Sequence, residues 1–97
     1  MTEENSYDAV VRIEWTGFDT ARYAIVEADT VLRVSIISSG FNAIDRDNHL
    51  KRVRYKIYAT SDTTVFFSDC VKDMPVQLGL TGVREISCRQ ETVTLRL

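Results

Sequence analysis

The pattern that most constrains this chain is a two-residue alternation of bulky apolar side chains: Val11-Ile13-Trp15, Leu32-Val34-Ile36, Val53-Tyr55-Ile57 and Val93-Leu95-Leu97. Side chains of an extended strand point alternately to its two faces. Each set therefore lays an apolar stripe toward a core and leaves the intervening Arg, Glu, Ser and Thr for water or a second layer. Strands are expected over residues 8–15, 30–38, 50–59, 65–67, 83–88 and 91–97, with a short extended piece at 23–26. The 30–38 segment is dense in β-branched residues and apolar on both faces, the mark of a central strand. Gly17, directly after Trp15-Thr16, suits a turn or bulge.

One helix is expected, near residues 69–78. Ser68 is placed to cap it, Asp69 puts a negative charge in its first turn, and Val71, Met74 and Leu78 share a face. Gly79 stands where a C-terminal glycine ends such an element. Pro75 in a helix interior costs about 3 kcal/mol, so it must kink the helix or split it into two short turns. The expected architecture is mainly β within an α+β class: a small curved or split sheet, antiparallel or mixed, with one short helix, in a single domain over residues 1–97. Phe41, Ala43 and Ile44 are expected to pack a short turn onto the sheet before a polar tip at residues 45–49.

With 97 residues, 44% of them hydrophobic and 27% charged, the composition is that of an ordinary globular domain. No apolar run approaches the length of a membrane span. The formal net charge of -2 gives an overall field that does not favour polyanions, which weighs against nucleic acid as the main partner. The polar start Met1-Thr2-Glu3-Glu4-Asn5-Ser6 has neither the basic nor the apolar region of an export signal. It suits either a cytoplasmic protein or a piece of a longer exported one, and the stripe running to Leu97 favours the latter. Cys70 and Cys88 lack CxxC spacing and a partner histidine, and read as two buried free thiols, with a single bridge as the alternative.

Chemistry-bearing residues are sparse. Arg52, Arg54 and Lys56 are expected along one face of the third strand, about 6.6 to 7 Å apart. This makes them a candidate interaction face for phosphates, lipid headgroups or an acidic protein, against the simpler reading of a solvated face that discourages aggregation. His49 reads as a surface residue. Asp45, Asp47, Asp62, Asp69 and Asp73 fall in turns or near a helix start, where carboxylates satisfy backbone donors. The run from Asp45 lacks the glycine and the glutamate of a calcium loop, with Lys56 at the last position. Trp15 continues a core stripe and reads as an anchor. No catalytic, metal or cofactor site is expected, and an enzyme is the least favoured class.

The segments Val11-Arg12-Ile13-Glu14-Trp15-Thr16-Gly17-Phe18 and Leu32-Arg33-Val34-Ser35-Ile36-Ile37-Ser38-Ser39-Gly40-Phe41-Asn42-Ala43-Ile44, with the closing stretch from Val83 to Leu97, resemble the YbbR-like domain of Bacteroidetes-type proteins. The shared marks are a strand ending in Trp-x-Gly, a strand followed by Ser-Gly-Phe, and a final pair of strands ending in alternating aliphatics. The proline that the family often carries between its last two strands is replaced here by Ser87-Cys88-Arg89-Gln90. The resemblance implies a small β-dominated domain, one of several strung beyond a transmembrane helix on the outer (periplasmic) side of the bacterial inner membrane. It implies a non-enzymatic scaffold or regulatory role by protein contact, since some relatives bind a membrane diadenylate cyclase, and it carries over no catalytic residues. The alternative from another class is an RNA- or anionic-lipid-binding module acting through Arg52, Arg54 and Lys56.

Overall fold

A computed structural model describes residues 4–39 and 50–97. Its strands are β1 (Glu4–Thr16), β2 (Glu27–Ala28), β3 (Val31–Ser39), β4 (Tyr55–Tyr58), β5 (Thr63–Phe66), β6 (Val83–Cys88) and β7 (Thr92–Arg96). Two short helices, α1 (Phe67–Cys70) and α2 (Met74–Leu78), sit between β5 and β6. The fold is mainly β, as the alternation requires. One mixed sheet has the order β4-β1-β3-β6 and a second, smaller one the order β2-β7-β5.

β1 carries two partners along its length. Over residues 4–12 it pairs antiparallel with β3, and over residues 13–16 it pairs parallel with β4. Ala9, Val11, Ile13 and Trp15 are all buried, as are Leu32, Val34 and Ile36 of β3, so both stripes face the core as the period-two pattern predicts. β3 lies between β1 and β6, the central position expected of it. The second sheet contributes Val93 and Leu95 to the same core, and the helices contribute Phe67, Cys70, Met74 and Leu78.

The third expected strand is much shorter than residues 50–59. Regular pairing begins at Tyr55, where β4 meets the end of β1, and before it only Lys51 and Arg52 form a turn. Tyr55 and Ile57 are buried as expected, and Val53 is half-buried. The extended piece is found at β2 rather than at residues 23–26, because Glu27 and Ala28 have β7 to pair with.

The expected single helix is two. α1 starts two residues earlier than Ser68 would allow as a cap, and Phe66 occupies the N-cap position without a side-chain hydrogen bond. Pro75 then falls in the first turn of α2, where a missing N–H costs nothing. Gly79 ends α2 in the left-handed region at φ 68°, with its N–H turned back to the last turn. The expected turn at Phe41, Ala43 and Ile44, the polar tip with Asp45 and Asp47, and His49 lie outside the described residues.

Candidate functional site

Arg52, Arg54 and Lys56 are all exposed, but they do not form a ladder on one strand. Lys56 lies within β4, whereas Arg54 immediately precedes the strand and Arg52 belongs to a turn, so the three do not share one strand. Lys56 is better explained from its backbone. β4 is an outer strand of its sheet, and the Gln77 side chain of α2 closes its free edge. The Lys56 N–H donates to Gln77 Oε1 at 3.1 Å, and Gln77 Nε2 reaches the Lys56 carbonyl at 3.5 Å. A primary amide has one acceptor and two donors, so it can stand in for the peptide group of a missing neighbouring strand.

The same amide is held by Asp73, whose Oδ2 accepts from Gln77 Nε2 at 3.0 Å, while Oδ1 accepts from the Tyr55 hydroxyl at 2.7 Å. Burial pushes the Tyr55 phenol well above its ordinary range, and the hydrogen bond it donates to the Asp73 carboxylate adds to the effect. Cys70, next to this phenol, is buried, and desolvation raises its thiol too, partly opposed by a hydrogen bond with Tyr55. A thiol held in its neutral form is a poor nucleophile. The cluster's work is to fasten α2 to the sheet.

Trp15 is buried, as an anchor should be, and its indole N–H donates to the Asp29 carbonyl at 2.8 Å. Both cysteines are free: Cys70 is buried and Cys88 half-buried. No group of three or more His, Cys, Asp or Glu side chains placed to hold a metal occurs among the described residues.

The richer surface is the open face of the larger sheet. The antiparallel register sets Asp8, Val10 and Arg12 of β1 directly across from Ser35, Arg33 and Val31 of β3, all on the side away from the core. They line a groove of about 1330 Å³ to which Lys51 and Arg89 also contribute. Arg12, Arg33, Lys51 and Arg89 thus surround one depression, and the carboxylate among its lining residues, Asp8, accepts a hydrogen bond from Ser35 Oγ at 2.8 Å. Among its lining residues Val10 and Val31 are 49% and 45% exposed.

Strand parity alone assigns Arg12 and Arg33 to the outer faces of their strands. Their convergence is a matter of pairing register, which local sequence does not carry. The signal available was the repeated Val/Arg alternation in Val10-Val11-Arg12 and Val31-Leu32-Arg33, which places one exposed valine and one arginine on each partner strand. Compared with known protein families, with curated proteins and with solved structures, the chain matches none.

Proposed function

We propose that this chain is a non-enzymatic interaction module, one YbbR-like unit of a membrane-anchored extracytoplasmic protein, and that it works by contact with another protein. The observation that carries the contact reading is the groove on the open sheet face. Val10 and Val31 stand half exposed on paired strands, and four cations line the same groove. Exposed apolar side chains beside charged ones suit a protein interface, and the sign of the charge selects an acidic partner surface. The family part rests on the Trp-x-Gly and Ser-Gly-Phe marks and the closing alternation, to which the β-rich architecture is congenial. By that resemblance the partner is an envelope or membrane protein, such as a diadenylate cyclase.

A photo-crosslinking residue at Arg33 of the full-length parent, expressed in its own cells, tests both parts. The expected product is an adduct with one membrane or envelope protein, lost when Arg12 and Arg33 are both reversed to Glu. A parent found in the cytoplasm, or an adduct pattern indifferent to the reversal, would count against the proposal. The alternative of RNA or anionic lipid is favoured by the same four cations. It requires binding to RNA or to phosphatidylglycerol vesicles that weakens steeply with salt and disappears on charge reversal of the basic residues, Arg52, Arg54 and Lys56 included.

A further inference from the structure

The register of the open sheet face gives the groove a finer pattern than its net charge. Val10 lies directly across from Arg33 and Arg12 across from Val31, so a Val-x-Arg stretch runs in opposite directions on β1 and β3. These four exposed side chains form a two-by-two block, with the valines on one diagonal and the arginines on the other. Side chains on such a diagonal stand about 7–8 Å apart. The next rung of the sheet on the Val10 and Arg33 side carries Asp8, Ser35 and Ser87, and so holds a carboxylate and hydroxyls but no cation. Lys51 and Arg89 add their charge to the same groove.

We infer, on the reading that this groove is the contact site, that its occupant is an extended segment of the partner carrying two carboxylates at positions i and i+2. Side chains on one face of an extended chain recur about every 6.6–7 Å, which matches the Arg12–Arg33 diagonal. The other simple spacings do not. Acids four residues apart on a helix are about 5–6 Å from each other, and adjacent acids of an extended chain point to opposite sides. Arginine suits the role because its planar fork can hold a carboxylate through two parallel hydrogen bonds. A second copy of this chain is not the occupant, since it would bring four cations against four.

The remaining residues of the block fit the same occupant. With its two acids on the arginine diagonal, the segment lays its backbone over Val10 and Val31, and the residue between the acids points away from the sheet. The valine methyls displace water from beside both ion pairs, and a lower local dielectric strengthens them. Asp8 sets a limit on the acidity that is accepted. Its carboxylate, held by Ser35 Oγ, opposes a further acid on the next rung, so the groove selects a pair of carboxylates over a uniformly acidic tract.

Fluorescent peptides of equal charge titrated onto the full chain at physiological salt read the spacing directly. A peptide with Glu-Thr-Glu between Ser-Val flanks is expected to bind about fivefold tighter than the same residues ordered Thr-Glu-Glu, or than a helical peptide with its two acids four residues apart, a difference worth one exposed ion pair. Arg12→Glu and Arg33→Glu should each weaken the first peptide about tenfold, and changing one of its glutamates to lysine should restore binding to either variant. Asp8→Asn, which keeps an acceptor for Ser35, should tighten binding about threefold, a gain that misfolding cannot produce. Circular dichroism would confirm that each variant is folded. Equal affinity for all three peptides, no binding up to millimolar concentration, no rescue by the lysine peptide, or tighter binding of a single phosphoserine in place of the acidic pair overturns the inference. Where that happens while the crosslink from Arg33 persists in cells, the spacing rule alone falls; loss of the crosslink removes the contact reading and the rule with it.

Discussion

Gln77 does with a side chain what a neighbouring strand would do with its backbone, and it is itself held by Asp73. Replacing it with alanine should cost about 1 kcal/mol, the usual net worth of an intramolecular hydrogen bond, because the Lys56 N–H can turn to water instead. Urea denaturation would measure this, and an unchanged midpoint would mean that the amide is incidental. Tyr55 makes a pH prediction. Its folded pKa is raised, so above the ordinary value of 10.0 the folded state retains a proton that the unfolded state has lost. The Tyr55 contribution to stability is therefore intact below pH 10 and is lost as pH rises beyond it, and the Cys70 contribution is lost in the same sense above its ordinary value of 9.0. Denaturant midpoints between pH 8 and 11 should show this loss, and Tyr55→Phe should flatten its upper part. A decline of equal steepness in that variant would place the titration elsewhere.

At the level of elements, what could be read from sequence was whatever the chain states locally. The parity of Val11-Ile13-Trp15 fixed which face of β1 is buried, and Gly79 marked a helix end because few other residues adopt its left-handed backbone. Gly79→Ala should cost about 1 kcal/mol in thermal or chemical unfolding for that reason. What depends on distant partners was not legible. β4 begins at Tyr55, where its pairing with the edge of β1 opposite β3 starts at Ile13, and no feature of 50–54 announces this. Arg52 and Arg54 therefore fall before the strand on which they were expected. Asp29 is another such case. Its Oδ2 accepts from the Thr94 N–H at 2.8 Å, its own N–H donates to the Thr94 carbonyl at 3.0 Å, and its carbonyl takes the Trp15 indole proton. One residue thus ties the end of β1 to β7, across the two sheets. Asp29→Ala should destabilise by about 1–2 kcal/mol, since it strips a partner from a part-buried backbone N–H. A loss within experimental error would show that water replaces the carboxylate.

For the molecule as a whole, helices and both sheets share one core, and Cys70 sits within it while Cys88 is partly reachable. A thiol reagent in native buffer should therefore modify Cys88 first. Cys70 should react at the rate of global opening and accelerate in step with added denaturant. Reaction of both at one native rate would contradict a single cooperative core. No helix among the described residues is long and apolar enough to cross a membrane.

The occupied flank of β4 also bears on how the chain stays apart from its own kind. An outer strand with open backbone groups is a template onto which another chain can pair. At Lys56 both the N–H and the carbonyl are already engaged by the Gln77 amide, so that part of the strand offers an incoming chain nothing to bind. Removing the amide would then do more than soften one domain: it would uncover a stretch of backbone able to recruit a stranger.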